Sequence, residues 1–158
     1  MKTTLVHAAV MLAVSMSVGA RELSPPTDTD LKASYCLAVQ QEGASHLNAI
    51  DASELPASAV PYFQKGMAGI RERIRHLQQY LLPRLEYVDP MGLIAARERG
   101  TEDANYIAQD TQVMACSAKC ASQARAMTDE QYGQCTATCA PEQMTRIRQC
   151  LSLSWLPF

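Results

Sequence analysis

Cysteine spacing constrains the fold of this 158-residue chain more than any other feature. The cysteines are Cys36, Cys116, Cys120, Cys135, Cys139 and Cys150. An even set in an exported chain implies disulfides, and the spacing narrows the pairings. Cys116-x3-Cys120 and Cys135-x3-Cys139 each place two sulfurs one helical turn apart on the same face. The inner and outer pairs share one midpoint, between residues 127 and 128, so a helical hairpin turning there brings both into register. Thr128 and Gln131 supply a Thr-x-x-Gln capping box to start the second helix. The expected bonds are therefore Cys120–Cys135 and Cys116–Cys139. Cys36 is left to Cys150, a crosslink that closes most of the chain into one loop and is worth about 4 kcal/mol.

Export is read from residues 1–20. A short basic start at Lys2 precedes an apolar run from Leu5 to Val18 and the small residues Val18-Gly19-Ala20, a pattern for cleavage after Ala20. The run is shorter than the roughly 20 apolar residues that span a membrane, and Arg21-Glu22 and Pro25-Pro26 follow it. Residues 21–158 are then expected to form one helical, disulfide-stabilised domain, periplasmic or secreted. No second apolar run of spanning length follows, so no stable membrane insertion is expected.

The twin Cys-x3-Cys pattern over residues 110–142 resembles the twin Cys-x3-Cys proteins of the mitochondrial intermembrane space, including the small Tim chaperones. The resemblance implies a shared way of stapling two helices.

The rest of the chain reads as helix. With 47% hydrophobic residues but only 6% aromatic, 2 Phe and 1 Trp, a β-sandwich is disfavoured. Thr27 or Asp28 caps a first helix carrying Leu31, Tyr35, Ala38 and Val39 on one face, stopping near Gly43 or continuing through Ile50. Residues 51–60 read as a loop. Val60, Phe63, Met67, Ile70, Ile74, Leu77 and Leu81 then form an apolar seam that Pro83 ends or kinks. Asp89-Pro90 opens a segment up to Gly100, and a further start is expected at Thr101, where Glu102 and Asp103 compensate the helix dipole. That helix is expected to reach Met127. Pro141 begins a short helix with Met144, Ile147, Cys150 and Leu151 inward, and the apolar end from Leu151 to Phe158 docks on the core. The expectation is an all-α fold: a compact bundle of five or six helices with a disulfide-stapled C-terminal helical hairpin.

Catalytic signatures are missing. The chain has no Gly-x-Ser-x-Gly, Cys-x-x-Cys-His or His-Glu-x-x-His string, no Gly-rich phosphate loop, and only His46 and His76 after the signal. No enzyme activity and no cofactor is expected, and a formal net charge of −2 gives no general attraction to nucleic acid. The long seam helix concentrates base instead: Lys65, Arg71, Arg73, Arg75 and His76 stand against Glu72, marking a candidate partner surface. The expected class is a protein that acts by binding another protein, as a periplasmic inhibitor, immunity protein or chaperone-like factor. The alternative is soft-metal binding, copper for example, by thiolates of Cys116, Cys120, Cys135 and Cys139.

Overall fold

The computed structural model describes residues 23–57 and 59–157. The export signal expected at residues 1–20 lies outside the described residues. Among these there are six α-helices and no strand: α1 (Asp28–Asn48), α2 (Val60–Leu81), α3 (Pro90–Gln109), α4 (Thr111–Gln123), α5 (Asp129–Cys139) and α6 (Pro141–Arg148). The expected all-α bundle with a stapled C-terminal hairpin is the fold observed.

Helix α1 is the axis of the bundle. Thr27 caps it reciprocally: its hydroxyl accepts from the Asp30 amide at 3.2 Å, and the Asp30 carboxylate accepts from the Thr27 amide at 2.9 Å. The helix runs on through Gly43. Residues 33–40 are all buried, so no single face is apolar and the helix is wrapped on several sides. α2 and α3 cover two of them, and the C-terminal tail brings Leu156 and Cys150 to a third. The expected seam of α2 packs here, with Leu77 completely buried, a burial worth about 2–3 kcal/mol. Polar groups inside this core are satisfied: Ser34 Oγ donates to the Leu93 carbonyl at 2.7 Å, and no buried side-chain polar atom among the described residues lacks a partner.

The region around Gly100 differs from the sequence reading. α3 does not stop there and restart at Thr101; it runs unbroken to Gln109, and the break falls at Asp110, whose carboxylate accepts from the amides of Gln112 and Val113. Gly100 marks a close approach instead. A Cβ at this position would run into the Tyr35 carbonyl oxygen and lie 3.0 Å from Ala38 Cβ, so its hydrogen lets α3 cross α1. Asp103 is therefore mid-helix and buried, and compensates no helix start.

Two smaller corrections concern the C-terminal third. α4 ends at Gln123 and a short 3-10 turn, Ala124–Ala126, leads to the Thr128 cap, so the helix does not reach Met127. The Thr128–Gln131 capping box forms as expected. Leu151 points outward, 60% exposed, because the chain turns after Arg148; Leu156 occupies the core instead at 5%, with Leu153 and Trp155 packed beside it. The expected docking of the apolar tail thus holds through residues past the one first assigned to it. Lys32 Nζ sits 4.3 Å from the centre of the Trp155 ring and adds a cation–π contact to this seat.

Candidate functional site

All six cysteines are paired, in the combinations expected from their spacing: Cys36–Cys150, Cys116–Cys139 and Cys120–Cys135. Three disulfides indicate an oxidising environment, and no helix among the described residues is long and apolar enough to cross a membrane. The Cys36–Cys150 bond joins α1 to the tail inside the core, both residues being 0% exposed. The other two lace α4 to α5. These helices pack chiefly on each other and reach the bundle through α3 and α6, so the hairpin's cohesion rests largely on its two bonds. Sulfurs of Cys116, Cys120 and Cys139 lie within 4.8 Å of one another. In the oxidised hairpin none of them is a thiolate, so a soft-ion site at Cys116, Cys120, Cys135 and Cys139 belongs to the reduced chain.

The basic residues of α2 do not form one surface. Lys65, Arg71 and Arg75 are exposed, and Arg75 reaches Glu72 at 3.7 Å. His76 lies 3.7 Å from the same carboxylate and is about one-third exposed. Arg73 turns inward: its Nε donates to Gln40 Oε1 at 3.0 Å, and burial lowers its guanidinium from the ordinary value, opposed by the charge of Glu72. Arg73 precedes Tyr80 by one heptad, so both lie on the flank of the seam that meets α1. Polar groups of α1, Gln40 and Asp30, receive them.

The feature that sequence reading missed lies at the other end of α2. Pro83 stops the helix and converts Leu82–Glu86 into a 3-10 turn. Arg84 at the middle of this turn is pulled inward: its Nε reaches Asp30 Oδ1 at 2.9 Å, its Nη1 donates to the Tyr80 carbonyl at 2.7 Å, and its guanidinium stacks 3.5 Å over the Tyr80 ring. Tyr80 Oη donates to the same Asp30 oxygen at 2.9 Å. Burial alone would raise the Asp30 carboxyl, but the bonds from Thr27 and Tyr80 and the charge of Arg84 hold it below the usual carboxylate value. Fixing Arg84 inward leaves Leu82 and Leu85, three residues apart on this tight turn, facing outward together.

These leucines wall an apolar groove of about 270 Å³ between α1, α2 and α3. Leu37, Leu81 and Leu93 form its buried floor; Leu82, Leu85 and Ile94 are 63%, 56% and 47% exposed. Arg97 and Gln41 close one edge, Arg97 Nη2 donating to Gln41 Oε1 at 2.8 Å. Single exposed apolar side chains are ordinary, but a contiguous set over a preformed depression makes this groove the candidate interaction surface. The signal in the sequence was the run Leu81-Leu82-Pro83-Arg84-Leu85, where apolar residues continue past the point at which the seam has ended. No protein-family model matches the chain, and no curated protein or solved structure is found to be similar to it.

Proposed function

We propose that this is an exported protein, periplasmic or secreted, that acts by binding another protein rather than by turning over a substrate, in the manner of an inhibitor, an immunity protein or a chaperone-like factor. The observation that carries this reading is the groove walled by Leu82, Leu85 and Ile94, held open by the Asp30–Tyr80–Arg84 cluster. An apolar groove bordered by helices suits the apolar face of a partner's amphipathic helix. The Asp30–Tyr80–Arg84 cluster ties α1 to α2 and the following turn beside the groove, and the Cys36–Cys150 bond anchors α1 to the tail; a pre-ordered frame of this kind lowers the ordering cost of binding.

The test replaces exposed groove residues. Leu85→Glu and Ile94→Glu put charge into the groove without touching the core. Each is expected to weaken partner capture from the native compartment by at least about tenfold, that is, by about 1.4 kcal/mol or more, with an unchanged melting temperature. Capture that stays at the wild-type level with both variants would remove the groove from the reading. A second reading, soft-ion binding, rests on the clustering of three hairpin sulfurs within 4.8 Å. Mass spectrometry of the untreated protein decides it: free thiols carrying a metal at the four hairpin positions support it, and three intact disulfides with no metal oppose it.

A further inference from the structure

We propose that a second groove, between α2 and the C-terminal tail, binds a small carboxylate carrying an apolar chain, with Arg73 as the group that receives the carboxylate. This groove measures about 430 Å³ and is separate from the one walled by Leu82 and Leu85. Leu151, Leu153 and Leu156 of the tail supply its apolar side; Arg73 and His76 line the facing side on α2, with Arg73 as its cationic group.

The arrangement of Arg73 is what distinguishes a site from a crevice. Gln40, itself 4% exposed, donates through Nε2 to the Cys150 carbonyl at 3.0 Å and accepts from Arg73 Nε at 3.0 Å. This relay ties the guanidinium to the disulfide-linked core and leaves Nη1 and Nη2 without a direct ion-pair contact among the described residues, the charge of Glu72 acting on them only from a distance. Arg73 Nη1 lies over Gly69, one turn back on α2, where a Cβ would meet it at 3.4 Å, an ordinary contact distance. The acid lining the groove, Glu72, is 65% exposed and turns to Arg75 and His76 at 3.7 Å each. A half-buried guanidinium whose two Nη groups remain available matches the two oxygens of a carboxylate. The adjacent leucines, one of them 60% exposed, match an apolar chain attached to it. The groove is open to solvent, which limits the apolar area that an attached chain can bury in it.

The probe is sodium octanoate, titrated calorimetrically into the full-length mature protein with its disulfides intact, with acetate and hexan-1-ol as the charge-only and chain-only controls. Octanoate is expected to bind with a Kd of about 1 mM or tighter, and each control at least about tenfold more weakly. Arg73→Gln is expected to weaken octanoate binding at least about tenfold. Leu151→Glu, which alters only an exposed wall residue, is expected to do the same without affecting folding, while Arg71→Gln on the far side of α2 leaves binding unchanged. The proposal is overturned by no binding up to about 10 mM, by hexan-1-ol binding as well as octanoate, or by equal octanoate affinity in wild type and the folded Leu151→Glu protein.

Discussion

Arg146 grips Asp103 through two parallel hydrogen bonds, Nε to Oδ2 at 2.7 Å and Nη2 to Oδ1 at 2.8 Å, and so ties α6 to α3. Tyr35 donates its hydroxyl to the same Oδ2 at 2.8 Å, and one buried carboxylate thereby joins three helices. Asp103→Ala strands the buried Tyr35 hydroxyl and removes the partner of the one-third exposed Arg146, and is expected to cost about 2 kcal/mol in urea unfolding. A double-mutant cycle with Arg146→Ala should return a coupling of about 1–3 kcal/mol. Additive effects would show that the pair is decorative.

Gly100 and Gly66 should respond to alanine in opposite directions. At Gly100 the new Cβ meets backbone of α1, and the overpacking outweighs the gain in helix propensity, for a net loss of about 2 kcal/mol. Nothing lies within 4 Å of a Cβ at Gly66 on exposed α2, so Gly66→Ala should stabilise by about 0.5–1 kcal/mol. Thermal unfolding of the two variants beside wild type decides the matter; stabilisation at Gly100 would contradict the close crossing.

Acid should weaken the fold through two carboxylates. Hydrogen bonds from Arg146 hold Asp103 below the usual carboxylate value against the opposing effect of burial, helped by Tyr35, and Asp30 is lowered by the partners already described. A carboxylate lowered in the folded state contributes stability that is complete above its unfolded value, near about 4, and is lost as pH falls through the folded value. Stability should therefore be level from about pH 5 to neutrality and fall below about pH 4. A urea midpoint that holds constant from about pH 5 down to about pH 2 would be inconsistent with both clusters.

Reduction should proceed from the outside in. Cys116, Cys135 and Cys139 are partly exposed, whereas Cys36 and Cys150 are completely buried. Mild dithiol treatment under native conditions, followed by alkylation and peptide mapping, is expected to label the hairpin cysteines before Cys36 and Cys150. Loss of the Cys36–Cys150 bond, which spans 114 residues, should destabilise by about 4–5 kcal/mol, against about 3 kcal/mol for the 15-residue Cys120–Cys135 loop. Early labelling of Cys36 would contradict the buried staple.

What was legible in the sequence follows the range of the forces involved. Disulfide register, the Thr27 and Thr128 caps and the α2 seam depend on residues a few positions apart or on strict spacing, and each appears where it was expected. Gly100 was misread because a glycine that ends a helix and one that admits a neighbouring helix look alike until Tyr35 is known to lie across it. Arg73 falls within the candidate partner surface in the sequence because its inward turn depends on Gln40, 33 residues away. The exposure of Leu82 and Leu85 has no local signature, because it depends on Arg84 being drawn to Asp30, a partner contributed by another helix. Long-range polar contacts thus decided which side chains face outward.

The most direct test of binding through the Leu82–Leu85–Ile94 groove is site-specific photo-crosslinking in the native compartment. A photoreactive residue is placed in turn at positions 85 and 94, and at 130 and 142 as exposed controls on the hairpin side. Discrete protein adducts at 85 and 94, absent at 130 and 142, are the predicted result. Adducts confined to 130 and 142, or none at 85 and 94, would contradict it.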